Sequence, residues 1–231
     1  MSGRLALGFM LAVMGCSSLD EGQAGVVGIE VRVPGPDSVE VGESIQLGAR
    51  PLDKNGDSAA AAVTWVSVDP TATIDPATGV LTGVSPGSAR VQATVGSLGS
   101  SLITFAVVPA ADTLAIAGDS IFTSSLSTPS IPTFTTVLLS FNPPGPVATH
   151  AVVYSITSPD PLVTPASIVL ATNHQLADTV ATGTDGAAVT SLELVAGTTP
   201  PDSAVVSVSA THIRGAVVAG SGQRFILRFT P

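Results

Sequence analysis

The chain has 231 residues, room for one large or two ordinary domains. Its residues are 45% hydrophobic but only 11% charged, against about 25% in an average soluble domain, and Ser, Thr, Gly and Pro dominate the remainder, a balance that excludes a helical or disordered protein and fits a β-rich, turn-rich one. The formal net charge of −9, a single Lys and no basic cluster exclude nucleic-acid binding.

In chain order, Arg4 gives a short basic start, and residues 5–14 form an apolar run. That run is too short for a spanning helix, which needs about 20 residues, and suits a signal-peptide core of about 7–15. Residues 1–15 are therefore expected to be a cleaved leader. The run Val13-Met14-Gly15-Cys16 resembles the bacterial lipobox. The resemblance implies cleavage between Gly15 and Cys16 and lipidation of the Cys16 thiol, the best nucleophile available for taking up a diacylglyceryl group. It further implies additional acyl chains such as palmitate, and two or more chains give stable anchoring where one does not. Ser17, standing where Asp retains lipoproteins at the inner membrane, implies the outer membrane. Cys16 is the only cysteine, so no intramolecular disulfide can form. Residues 16–25 read as a small, polar, lipidated tether. The nine residues 17–25 beyond the acceptor span about 17 Å on average and about 30 Å when stretched, which keeps the next module close to the bilayer.

From residue 26 the chain breaks into short runs of period two, separated by Gly, Pro, Asp and Asn. Ile45, Leu47 and Ala49 share a face; Val63-Thr-Trp65 and Ala89-Arg-Val-Gln-Ala-Thr-Val95 alternate likewise. Such runs at roughly 8–12-residue spacing predict an antiparallel sandwich. The motifs Val39-Glu-Val-Gly-Glu-Ser-Ile-Gln-Leu47, Asp53-Lys-Asn-Gly56 and Val63-Thr-Trp65 come first. With Asp75-Pro-Ala-Thr-Gly-Val-Leu-Thr-Gly-Val-Ser-Pro-Gly-Ser-Ala-Arg-Val91, they resemble the bacterial immunoglobulin-like domain, group 2, over residues 26–108. Trp65 is expected between the sheets, in the space that a disulfide and a tryptophan share in antibody domains.

Residues 109–112 read as a linker, and residues 113–231 as a second sandwich. Ala117-Gly-Asp-Ser-Ile-Phe122 echoes Val41-Gly-Glu-Ser-Ile-Gln46, an internal repeat that points to a second immunoglobulin-like module. Alternation recurs in Val137, Leu139 and Phe141; in Val152, Tyr154 and Ile156; and in Val206, Val208 and Ala210. Phe225, Leu227 and Phe229 form a last strand, with Arg224 and Arg228 on its other face. Thr182-Gly-Thr-Asp-Gly-Ala-Ala-Val-Thr190 resembles a glycine turn and strand of invasin-type, group 1, bacterial immunoglobulin-like domains. The fold class expected is thus all-β: two tandem immunoglobulin-like sandwiches.

Gly118-Asp119-Ser120 resembles the nucleophile block of GDSL-type hydrolases, but those enzymes need an Asp three residues before a catalytic His. Here Ser209, Ala171 and Val147 stand three residues before His212, His174 and His150. The block therefore reads as a strand-entry turn, and no catalytic residues are assigned. Asp53, Asn55 and Asp57 have calcium-like oxygen spacing, yet no acid follows within the next eleven residues to close a coordination shell. A hairpin turn is the better reading, as it is for Asp69, Asp75 and Asp185. The histidines lack metal spacing, and no metal or cofactor is assigned. Arg224 and Arg228 could grip an acidic partner but fit a solvated strand face. These readings converge on a non-enzymatic envelope lipoprotein, attached to the membrane through Cys16, that uses immunoglobulin-like modules for adhesion, spacing or assembly. Its protein or glycan partner is unspecified; alternatives are surface glycan binding or an accessory role in an envelope complex.

Overall fold

The computed structural model describes residues 25–126, 131–159 and 166–231. The expected leader with Gly15 and Cys16, and all of the expected tether except residue 25, lie outside the described residues.

The first module contains β1 (Gly28–Arg32), β2 (Ser38–Glu40), β3 (Ser44–Gln46), β4 (Gly48–Leu52), β5 (Thr64–Ser67), β6 (Ala72–Ile74), β7 (Val80–Gly83), β8 (Gly87–Val95), β9 (Leu98–Gly99) and β10 (Ile103–Val108). One sheet runs β2-β10-β8-β5 with β9 beside β8. Across from it lie β3-β7-β6 and the β1-β4 pair. Alternation places the core as expected: Ala89, Val91 and Ala93 of β8 are fully buried while Arg90 between them is exposed. The run from Ser44 to Ala49, expected to be one strand, is instead divided at Leu47. Its first part pairs with β7 and its second with β1. At the break, the Leu47 N–H is taken by the Gly79 carbonyl at 3.0 Å, so a buried backbone donor stays satisfied while the chain changes partner.

Trp65 fills the gap between the layers, with 4% of its surface exposed. Gly79 makes room for it: a Cβ there would sit 2.6 Å from the indole Nε1, and its φ of +76° also disfavours any side chain. The turn that presents Gly79 is tied by Asp75, whose Oδ1 accepts the N–H groups of Ala77 and Thr78 at 2.9 and 2.7 Å.

The second module contains β11 (Thr113–Ile116), β12 (Ile121–Ser125), β13 (Thr133–Phe141), β14 (Pro144–Pro146), β15 (Ala151–Ser158), β16 (Ile168–Leu170), β17 (Ala177–Ala181), β18 (Ala187–Leu194), β19 (Ser203–Ala210) and β20 (Arg224–Thr230). Its sheets run β11-β13-β18-β16, with β14 on β13, and β12-β20-β19-β15-β17. Val152, Tyr154 and Ile156, then Val206, Val208 and Ala210, then Phe225, Leu227 and Phe229 all face the core. In β13 the parity is the reverse of a core face built on Val137, Leu139 and Phe141: Phe134, Thr136, Leu138 and Ser140 point in, and Phe141 is 65% exposed. Two inward partners favour that register. Phe134 stacks on Phe225 at 4.8 Å between centroids and meets Phe122 at 5.6 Å. Thr136 meets the Tyr154 hydroxyl at 2.7 Å. That phenol spends its one hydrogen on the Ala188 carbonyl at 2.7 Å, so the Thr136 hydroxyl is the donor to it. Burial pushes the Tyr154 phenol above its ordinary pKa.

In both modules a strand near the start lies parallel to the last one, β2 beside β10 and β12 beside β20. Each module therefore splits its first strand between two sheets. The split falls at Pro34-Gly35-Pro36 in the first module and at Ala117-Gly118-Asp119 in the second. This corrects the reading of the internal echo. Gly42 and Gly118 share a φ of +83°, but Gly42 lies between β2 and β3 whereas Gly118 lies between β11 and β12. The two modules do repeat, and the quoted residues are not the equivalent ones.

Trp65→Ala should cost about 3–5 kcal/mol, and Tyr154→Phe about 1–3 kcal/mol by stranding the Thr136 hydroxyl and the Ala188 carbonyl. Urea unfolding of each variant measures both; losses below about 0.5 kcal/mol would place these side chains outside the cooperative cores.

Candidate functional site

The acidic and histidine motifs separate once they are placed in the fold. Asp53 Oδ1 accepts the N–H groups of Asn55 and Asp57 at 2.8 and 2.9 Å, so the oxygen that a cation would want closes a turn instead. Asp185 Oδ1 likewise accepts the Ala187 N–H at 3.0 Å. Asp69 does more than shape a turn. It holds the Arg90 guanidinium through two contacts of 2.9 Å and also accepts the Arg90 backbone N–H. Among the described residues, no group of three or more His, Cys, Asp or Glu side chains is placed to hold a metal ion.

Ser120 sits at the entry to β12, where its carbonyl accepts the Ile226 N–H at 2.8 Å. The histidines are engaged elsewhere. His150 Nε2 lies 2.7 Å from the Thr211 carbonyl, His174 Nδ1 lies 2.9 Å from Glu193 Oε2, and His212 Nδ1 lies 2.5 Å from Glu40 Oε2. The fold thus presents Gly118-Asp119-Ser120 as a turn, with the histidine contacts directed to other groups. Arg224 and Arg228 lie exposed on the outer face of β20.

The densest polar constellation lies where the modules meet, and the sequence reading did not single it out. Glu40 ends β2 with its side chain only 4% exposed. Its Oε2 faces His212, and its Oε1 accepts the Ile213 N–H at 3.2 Å. Glu43 Oε2 accepts the Glu40 N–H at 2.9 Å and receives Arg214 Nη1 at 3.0 Å. The same guanidinium reaches the carbonyls of Ser38 and Pro36 at 3.1 and 3.4 Å. His212, Ile213, Arg214 and Gly215 form the tight turn between β19 and β20, closed by the Gly215 N–H on the His212 carbonyl. His150 braces that turn from the start of β15 through the Thr211 carbonyl. A buried carboxylate is tolerated only when paired and hydrogen-bonded, and here both oxygens of Glu40 are satisfied from the other module. The partners are 172 positions apart, and no local pattern announces the contact.

The strand arrangement defines the class: an all-β chain of tandem immunoglobulin-like sandwiches. Residues 31–104, which cover most of the first sandwich, match the family model of the bacterial Ig-like domain (group 2). No curated protein matches the chain. Among solved structures, domains 4 and 5 of the S-layer protein SbsC are 14% identical over 90% of this chain and 100% of that one, with a TM-score of 0.33. The adhesin InvE of Yersinia pseudotuberculosis is 14% identical over 85% of this chain and 57% of that one, with a TM-score of 0.37. The fibronectin(III)-like modules of Clostridium thermocellum CbhA are 13% identical over 87% and 92%, with a TM-score of 0.36.

The Asp69–Arg90 pair generates a pH dependence. The hydrogen bond from Arg90 holds the Asp69 carboxyl below its usual pKa. A carboxylate depressed in the folded state adds stability above its unfolded pKa, about 3.9, and loses it as the pH falls through the lower folded value. Asp69→Asn should therefore lower Tm at neutral pH, and the gap to the parent should narrow below about pH 4. Calorimetry across pH 2–7 checks this, and a gap that stays constant would assign the effect to shape and not to charge.

Proposed function

We propose that the chain is a non-enzymatic, lipid-anchored protein of the bacterial cell envelope whose two sandwiches serve adhesion, spacing or protein assembly at the outer membrane. The observation that carries this reading is the order of parts. A lipobox-like Val13-Met14-Gly15-Cys16 precedes a chain whose described residues are β-sandwich, the first of them matching a bacterial Ig-like domain. With the tether ending near residue 25 and β1 beginning at Gly28, the first sandwich would stand close to the bilayer and the second beyond it. Glycan binding by ring stacking is less well supported. The only Trp and the only Tyr are both core residues, and Phe141 is the exposed aromatic of the second module.

The mature protein from a native host should yield an N-terminal peptide beginning at a diacylated or triacylated Cys16 by mass spectrometry, and Cys16→Ser should move the protein from the detergent phase to the aqueous phase. An unmodified Cys16 in the membrane fraction would end the lipoprotein reading. Protease treatment of intact cells then separates an outward-facing protein, which is digested, from a periplasmic one, which survives.

A further inference from the structure

We infer that the 212–214 turn of the second sandwich is a polar latch that sets the angle between the two sandwiches and whose loss turns a single rigid unit into an articulated one. The apolar cores do not join. The core around Trp65 and the core around Tyr154 form two separate clusters with no shared residue. What connects the sandwiches is first the covalent path. Val108 leaves β10 with its carbonyl on the Val41 N–H at 2.9 Å, Ala111 is fully buried in the second core, and the Asp112 N–H is taken by the Leu139 carbonyl at 3.0 Å.

A single covalent path fixes a position and leaves rotation about it free. A second tie, displaced from the first, removes that freedom. His212, Ile213 and Arg214 supply the second tie by gripping the segment from Pro36 to Glu43. The grip is many-pointed: both Glu40 oxygens, the Glu43 carboxylate and two backbone carbonyls are used. Its hydrogen-bonded contacts are polar, so opening it would return the charged groups to water. Contacts between domains resist relative motion when they are large and hydrophobic, and motion is the default otherwise. The fixed angle thus depends on these side chains. This inference is independent of how the chain is anchored or what it binds.

Spin-label distance measurement on the full chain tests it. Cys16→Ser clears the only native thiol, and Thr104→Cys and Thr123→Cys place one label on an exposed outer position of each sandwich. The parent should give one narrow distance distribution. His212→Ala with Arg214→Ala should widen it at least about two-fold, while Trp65 fluorescence continues to report a folded first sandwich. Glu43→Gln, which leaves Glu40 paired, should give an intermediate width, and Lys54→Ala in the exposed turn after β4 should leave the width unchanged. A broad parent distribution, or a double variant as narrow as the parent, would overturn the latch. If the double variant does not fold, the Glu43→Gln result decides, and a width equal to the parent's then counts against it.

Discussion

Neither sandwich has a covalent cross-brace, because the chain's lone cysteine stands at position 16, ahead of both. Everything that holds the sheets together must come from side chains meeting across the gap between them. The two sandwiches meet that constraint differently. The first, built from small residues such as Ala72, Ala89 and Ala93, relies on two large rings, Trp65 and Phe105, with Gly79 cut back to accept the indole. The second places three phenylalanines in contact and ties Tyr154 to both Thr136 and Ala188. A wide core filled by a few aromatics is sensitive at those few points and tolerant elsewhere, since burial energy concentrates where the buried area is largest.

The boundary between the sandwiches obeys the opposite rule. It is built from charge and backbone hydrogen bonding, around a carboxylate almost wholly withdrawn from solvent. Each contact there is directional, so the arrangement specifies an orientation more sharply than apolar packing of the same extent would. The braces are layered. Glu43 holds the Glu40 backbone, Glu40 holds His212, and His150 supports the turn from which His212 projects.

Much of the fold was legible in the alternation of side chains, because a strand with one face buried must repeat every two residues. The inward rows of β8, β15, β19 and β20 follow that rule plainly. The group 2 resemblance, read from ordered motifs, falls on the residues that the family model matches. Legibility ended where both parities of a strand are apolar. In Phe134-Thr-Thr-Val-Leu-Leu-Ser-Phe141 either face could be buried, and the choice was made by rings and a hydroxyl elsewhere in the chain. The division at Leu47 was hidden for a related reason, since its alternation continues unbroken while its pairing partner changes. The echo between Gly42-Glu43-Ser44 and Gly118-Asp119-Ser120 reflects two turns of like geometry at different steps of the topology. The junction cluster was illegible altogether: Glu40, Glu43, His212 and Arg214 are ordinary surface-type residues until the tertiary structure brings them together.

The parallel neighbours at the edge of each module have a consequence for how such a chain matures. A polypeptide synthesised from its amino end presents β2 long before β10, and β12 long before β20, so neither sheet can zip shut until its closing segment has emerged. The loop that carries His212 and Arg214 comes out just ahead of β20. Closure of the second module and seating of its clasp on the first therefore fall together at the end of synthesis, once every strand of the first module has emerged.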